Sequence, residues 1–502
     1  MNYFVINNMG EKLTGIEKAV INRFKLFKKD QIDSKILTLT WNPTLTKNAK
    51  LFGVHNNLFS IYDYFQETQH IEQNTIFNWI NKWIYEDKFE IKYIQNTKDV
   101  RIFSNGRKVM YVNFYDSDYK YINYINHFDL KGRKIKRDLF DIRGFISCTK
   151  YLSKNQKVLH EKFFNTNGQV KIEKYYDTES EKNDLTLLIL NNYKKRTYYF
   201  NTHNEFVAFF YEELYENGDI YFSDKTANTS PPFLLTNKKI PVVSVLHSTH
   251  VKNNDNIEHS DTKNIYKPVF ENLERFSAIV VSTEQQKLDL TKRIAGSIPV
   301  YNIPVGYKEI NHIPKTSIVP KGPLKIISIA RYSPEKQLDH QIRLLSKLKN
   351  DFDNIELHLF GYGSEQNKLK ELVELKNLNE HVKFRGFISN LTEEMASSHL
   401  SLITSNMEGF SLAVLESLSN GLPVISYDIA YGPKEMIKNN INGFLVTKNN
   451  EEELYKIVKL FLSDIKLQQT FRNNCTRESN QFSNENVLKK WKDLLYRLHT
   501  DY

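Results

Sequence analysis

The sequence predicts an α/β fold: two Rossmann-like domains facing a cleft, with a β-rich domain inserted in the N-terminal half. Three observations predict it. From residue 324 to about 473, short β-branched runs alternate with stretches of helical period, the pattern of β-α units on a parallel sheet. A second strand-helix set lies at both ends of the first 315 residues. Between its two parts the chain turns rich in Tyr, Phe, Asn and Lys. Alternation there, as in Val109-Met110-Tyr111-Val112-Asn113-Phe114-Tyr115, points to antiparallel strands.

In chain order, residues 1–60 form the first part of an N-terminal Rossmann-like domain, with strand 3–6, a helix from Gly15 to about Lys28 and strand 36–40. Residues 61–218 are the inserted β-rich domain, a candidate for acceptor binding and for homo-oligomer contacts. Residues 219–315 complete the first domain, with strands 241–246 and 278–282. Segment 308–323, with its prolines and Gly322, reads as a hinge. Residues 316–480 form the second Rossmann-like domain, with strands 325–330, 355–360, 382–384, 400–404, 423–427 and 443–446. Residues 481–502 carry an apolar helix, 487–498 with Trp491, that crosses back to the first domain. A chain of 502 residues exceeds the usual single-core size, so several domains are expected.

Composition narrows the class. A hydrophobic share of 40% supports ordinary cores. No apolar run approaches the ~20 residues of a membrane-spanning helix, and the N-terminus lacks the basic and long apolar regions of a signal peptide. Cys148 and Cys475 lie far apart and have no ligand spacing, which favours reduced thiols and the cytoplasm. The formal charge of +10 attracts anions: nucleic acid, an acidic lipid face, a phosphate polymer or an acidic polypeptide. Zinc-type spacing, Walker A and nucleic-acid-binding motifs are missing, which argues against a nucleic-acid partner.

The strongest local signal is Ser405-Asn406-Met407-Glu408-Gly409-Phe410-Ser411, a turn between strand 400–404 and a helix over 411–419 that Gly421 ends. A helix N-terminus at the carboxyl end of a parallel strand collects free amides and a positive dipole end, which suits a diphosphate. Gly409 permits close backbone approach. Glu408 and Glu416 stand as either a grip on a sugar or ribose diol or as an incidental turn residue and a solvated helix residue. Arg331 and Lys336 follow another strand; they are either a surface Arg and a helix-starting Lys, or two cations placed to stabilise a diphosphate leaving group. Gly361 and Gly363 make a tight turn after the next strand.

In this order, Arg331 and Lys336, then Gly361-Tyr362-Gly363-Ser364, then Glu408 with seven residues to Glu416, the chain resembles the donor half of retaining GT-B glycosyltransferases of family 4. That resemblance implies a GT-B fold, Glu408 at the donor sugar, Glu416 at the ribose and Arg331 with Lys336 at the diphosphate. It implies that the amides of Gly409, Phe410 and Ser411 face phosphates or sugar, and points to Phe387 for the uracil. From the first domain it implies Gly15 at the donor phosphates, although many members carry two adjacent glycines where this chain spreads Asn8, Gly10 and Gly15. It also favours His247, at a strand's carboxyl end, as a cleft residue, with His250 a weaker candidate. No protein nucleophile, metal or other cofactor is expected, because in this family the leaving phosphate itself helps deprotonate the acceptor.

Within the insertion, Lys131, Arg133, Lys134, Lys136 and Arg137 form a dense basic run, either a solvated turn and edge-strand protection or a hold on a polyanionic acceptor. Over its length the chain resembles the staphylococcal glycosyltransferases of serine-aspartate-repeat adhesins. The similar segments are Leu13-Thr14-Gly15-Ile16-Glu17-Lys18, Val245-Leu246-His247-Ser248-Thr249-His250, Val281-Ser282-Thr283-Glu284-Gln285-Gln286-Lys287 and Thr404 through Ser411. This implies UDP-N-acetylglucosamine (UDP-GlcNAc) as donor and an acidic Ser-Asp polypeptide as acceptor. Two alternatives stay open: a wall teichoic acid glycosyltransferase, whose acceptor is also a polyanion, and a non-catalytic accessory subunit of a glycosyltransferase pair.

Overall fold

The computed structural model describes residues 1–72, 77–309, 318–388 and 390–500. Residues 310–317, the middle of the segment expected to be a hinge, lie outside them. The chain divides into two compact units, one of Met1–Phe24 with Ile32–Val242, the other of Lys25–Gln31 with Val243–Tyr502.

In the first unit, Ile220–Ser223, Asn2–Ile6, Ser34–Thr38 and Leu58–Ser60 lie side by side in that order, all parallel. Every residue of Asn2–Ile6 is buried, as a parallel strand covered on both faces requires. The helix Gly15–Lys29 follows; its start is set by Glu17, whose carboxylate accepts the Thr14 amide at 2.7 Å. From the same helix Arg23 is buried against Asp224, its guanidinium 4.1 Å from the centre of the Phe4 ring.

The insertion is a ten-stranded antiparallel sheet in which each strand pairs with its neighbour in sequence, from Glu90–Tyr93 to Arg196–Phe200. The alternation seen at 109–115 becomes Arg107–Phe114, where Met110, Val112 and Phe114 are buried and the residues between them are not. These three pack with Trp83, Val100, Ile102 and Ile125. The sequence did not announce the helix His203–Leu214, which closes this region. Its aromatic residues favour strands by propensity, yet Phe206, Phe210 and Tyr211 fall on a helical period and are buried, and Thr202 caps the helix through the Glu205 amide.

In the second unit, Val242–Val245, Ala278–Val281 and Val300–Asn302 run parallel. Six further parallel strands form a sheet in the order Val382–Gly386, Ile355–Phe360, Leu324–Ile329, Leu400–Ile403, Val424–Asp428, Gly443–Thr447. Numbered along the chain this is 3-2-1-4-5-6, the doubly wound order, whose direction of winding reverses between Leu324–Ile329 and Leu400–Ile403. The final helix, Asn484–Thr500, buries Val487, Trp491, Leu494 and Leu498. Trp491 meets the Phe27 ring edge-on at 5.9 Å, and Lys492 pairs with Asp30 at 2.6 Å. Among the described residues no helix is long and apolar enough to cross a membrane.

His250 belongs to this packing. It is fully buried between Phe270 and Tyr431, its ring nearly parallel to both at 6.2 and 6.3 Å. Burial, aided by the Arg293 and Lys263 cations, pushes its imidazole down to about 4. The unfolded chain therefore binds a proton that the folded chain refuses between about pH 6.5 and 4. Stability from this residue is complete above that window and is lost as pH falls through it, by up to about 3 kcal/mol.

Two measurements check this architecture. Trp491→Ala should lower unfolding free energy by about 3–5 kcal/mol in urea titration, since it empties a buried aromatic site. His250→Phe, which keeps the ring stack, should flatten the decline of the urea midpoint between pH 6.5 and 4.5; an unchanged decline would place its origin elsewhere.

Candidate functional site

The winding reversal defines a place where two neighbouring parallel strands send their connections apart, the usual ligand crevice of doubly wound sheets. Here the neighbours are Leu324–Ile329 and Leu400–Ile403, paired through Ile326 with Leu400 and Ile327 with Ser401. From their carboxyl ends emerge the two motifs singled out in the sequence, residues 330–336 and 404–411.

The two connections are stitched together. Thr404 donates its hydroxyl to the carbonyls of Lys336 and Gln337 at 3.1 and 2.9 Å, and the Asn406 amide donates to the Glu335 carbonyl at 2.7 Å. Across this seam Lys336 Nζ lies 2.8 Å from Glu408 Oε1, which also accepts the Ser405 hydroxyl at 2.7 Å. Their side chains are only 18% and 13% exposed. The attraction within such a shielded pair is screened less by water and salt than that of a surface one. Lys336 and Glu408, assigned separately to diphosphate and sugar, thus meet as one ion pair. Arg331 turns outward and pairs with Glu335 at 2.6 Å.

The glycines have specific neighbours. Gly361 has φ +138°, and a Cβ there would sit 2.0 Å from the Ala330 carbonyl oxygen; one on Gly363 would sit 2.2 Å from that of Tyr332. The turn therefore braces the Arg331 loop, and the Gly361 amide is already spent on the Gly386 carbonyl at 2.8 Å. A Cβ on Gly409 would lie 2.4 Å from the His247 carbonyl oxygen, so the close approach at this position is that of the 247–248 backbone. Phe410 buries its ring against Phe482 at 5.7 Å, leaving only its backbone to a ligand. Ser411 is left-handed (φ 67°), the entry to the helix Leu412–Ser419, whose first amides have no acceptor within the helix. Glu416 is half-buried within that helix. Phe387 is 54% exposed just beyond Val382–Gly386, its ring edge-on to Tyr362 at 6.3 Å.

His247 follows Val242–Val245 and is half-buried. Its neighbour Ser248 is held by the Tyr266 hydroxyl, 3.1 Å from its amide, and by Gln286, which donates to its carbonyl at 3.0 Å. His250, the weaker histidine candidate, is packing rather than a cleft-facing group, as described above. Three residues escaped the sequence reasoning. Tyr431 donates its hydroxyl to Asp289 at 2.7 Å and its amide to the Glu408 carbonyl at 3.4 Å. Gly432 accommodates the Phe410 carbonyl oxygen, 2.4 Å from where a Cβ would be. Lys263 brings its Nζ within 2.9 Å of Met407 Sδ. The run Tyr431-Gly432-Pro433 after a strand was a visible signal; Lys263 had none.

In the first unit, Gly15 opens its helix with open space around its Cα, beside a Thr14 amide already taken by Glu17. The basic run of the insertion forms the turn and second strand of the hairpin Ile122–Phe128 and Lys134–Phe140. A register shift between His127 and Phe128 divides it: Lys134, opposite Phe128, and Arg137, opposite Asn126, point to one face, and Lys136, opposite His127, to the other. Arg133 pairs with Asp129 at 2.7 Å and Lys136 with Asp138 at 3.0 Å, while Arg137 donates to Asn126 and covers the Tyr124 ring; Lys131 is exposed at the turn. The five cations do not form one patch.

Comparison with known proteins places this geometry. Residues 309–478 match the model of glycosyl transferases group 1. The poly(glycerol-phosphate) alpha-glucosyltransferase of Bacillus subtilis is 24% identical over 97% of this chain and 74% of its own length. The GtfA subunit of the UDP-N-acetylglucosamine–peptide N-acetylglucosaminyltransferase of Streptococcus agalactiae is 22% identical over 100% of this chain and 99% of its own. Among solved structures, the pneumococcal O-GlcNAc transferase GtfA in complex with UDP and GlcNAc superimposes with a TM-score of 0.86 at 19% identity, covering 99% of this chain and 98% of that one. Residues 309–478 thus match glycosyl transferases group 1, the chain has the expected GT-B fold, and along its length it is similar to these polyol-phosphate and peptide glycosyltransferases.

Proposed function

We propose that this chain is a retaining transferase that moves N-acetylglucosamine from UDP-GlcNAc to the Ser-Asp repeats of surface adhesins, on serine or on a GlcNAc already attached. The observation that carries this is the shielded Lys336–Glu408 pair at the winding reversal, beside a helix N-terminus. In this proposal the diphosphate lies against the amides of 409–412 with Arg331 and Lys336 as counter-charges, and both cations exchange part of their carboxylate bonding for phosphate oxygens. Glu408, freed in part from Lys336, holds sugar hydroxyls, Glu416 the ribose, and Phe387 with Tyr362 the uracil. His247 polarises the sugar from the opposite segment. The bond from the anomeric carbon to the β-phosphate oxygen breaks as the bond to the acceptor oxygen forms on the same face, and the acceptor's proton passes to the departing phosphate. The chemistry is assigned to side chains and amides of the chain, without a metal.

The acceptor class rests on charge. A Ser-Asp repeat carries one negative charge every second residue, which suits a chain of formal charge +10. The same charge suits a polyol phosphate, and the Bacillus relative, named for poly(glycerol-phosphate), makes that the second reading. A cytoplasmic site of action fits the first.

Glu408→Ala and Lys336→Ala should each lower UDP release by about 10²–10³-fold, the usual effect of removing a preorganised charge at a reacting centre. Near-normal turnover in either variant would end the assignment. Mass spectrometry should detect an N-acetylhexosamine added to a Ser-Asp peptide, bare or pre-glycosylated, in preference to poly(ribitol phosphate) supplied in competition. Preference for the polymer establishes the second reading, and no UDP release with any acceptor points to an accessory subunit.

A further inference from the structure

Lys263 lies outside the group 1 domain and outside every motif the sequence suggested. It ends a small hairpin closed by the bridge between Val251 and Thr262, and its amide donates to the His250 carbonyl at 2.9 Å. Its backbone is thereby tied to the segment that carries His247. The side chain reaches across to the turn that carries Glu408, where Nζ meets Met407 Sδ at 2.9 Å. A thioether is a weak acceptor, a poor sole partner for an ammonium with three N–H groups. Glu335 acts on Lys263 only through space and is itself paired with Arg331. Burial dominates and takes the Lys263 ammonium down to about 8, so the protonated form is held at a cost that nearby protein charge does not offset.

Counting charges around the turn shows where the imbalance lies. Arg331 is matched by Glu335 and Lys336 by Glu408, each within 2.8 Å. Lys263 has no such match among the described residues, so the set carries one excess positive charge beside the first amides of Leu412–Ser419. A half-buried cation without a counter-ion is destabilising unless a ligand supplies one. We infer that Lys263 is a donor-site residue that grips the diphosphate of the nucleotide sugar from the His247 side, the phosphate oxygens replacing Met407 as its partner. This inference rests on the nucleotide-sugar reading of the same site. It adds a third cation, from a segment far from the other two in sequence, to the stabilisation of the leaving group. Because Lys263 and His247 share one backbone framework, diphosphate binding would also fix His247 relative to Glu408.

Calorimetric titration of the full chain with UDP, uridine and inorganic pyrophosphate tests it. Lys263→Met, which matches the side chain in length and removes its charge, should weaken UDP and pyrophosphate by about 10–100-fold, the worth of one charge-assisted hydrogen bond. It should leave uridine affinity within about twofold and the thermal midpoint unlowered, because it removes a buried charge whose contact is a thioether. Lys263→Arg should recover most of the loss, a rescue that a merely structural role does not predict. Lys263→Gln provides the same comparison if Lys263→Met fails to fold. Equal binding of UDP and pyrophosphate by wild type and the uncharged variants overturns the inference while leaving the nucleotide reading intact. Wild-type binding of pyrophosphate but not UDP, lost in Lys263→Met, removes the nucleotide reading and keeps Lys263 as a diphosphate grip. Wild-type binding of neither overturns both.

Discussion

The architecture of the candidate site depends on the pairing of Lys336 with Glu408 across the winding reversal of the six-stranded sheet. Each residue sits on a connection leaving the carboxyl end of a parallel strand, where the sheet itself supplies no hydrogen bonds to hold the backbone. Left alone, two such loops would splay. The ion pair, the Ser405 hydroxyl and the Thr404 bonds to the Lys336 and Gln337 carbonyls close them into one rigid lip. Because the pair is largely shielded from water, its attraction is only weakly screened.

Around that lip the backbone is packed more closely than side chains permit. Gly361, Gly363, Gly409 and Gly432 each face a carbonyl oxygen within 2.4 Å of the place a Cβ would occupy. The effect is to bring main-chain segments together: 361–363 onto 330–332, 409 onto 247–248, and 432 onto 410. The first contact positions the Arg331 loop. The second joins the group 1 domain to the strand end that carries His247, and the third fixes the turn before the Leu412–Ser419 helix. Ser411, in the left-handed region without being glycine, fits the same picture of a turn whose geometry is imposed by its neighbours.

The insertion follows a different logic. Its sheet is assembled from hairpins, so every pairing is local in sequence, and its core arises from alternation alone. The same alternation undoes the apparent unity of the basic run from Lys131 to Arg137. Charges adjacent in sequence are sent to opposite faces, and carboxylates already compensate two of them, Arg133 and Lys136. Any attraction of a polyanion by this region is accordingly a property of the field of the whole surface rather than of one cluster.

Periodicity and turn chemistry are local, and what they govern was legible in the sequence by itself: the two β-α sets, the strands it named to within two residues though not the short ones at Leu58–Ser60, Ile220–Ser223 and Val300–Asn302, the helix after Ser411, and the candidacy of Arg331, Lys336, Glu408 and Glu416. The helix His203–Leu214 was not, because its aromatic residues speak for strands until Phe65, Phe200 and Phe206 are seen packed together. Partnerships between residues distant in sequence belong to the tertiary structure. Only the fold decided that Lys336 bonds to Glu408, 72 positions away, and that Gly409 serves the His247 backbone. Only the fold placed His250 in a dry aromatic stack and Lys263 beside Met407, 144 positions away, with no counter-charge of its own among the described residues. Burial and charge balance are sums over all neighbours in space, and a linear pattern specifies only the neighbours along the chain.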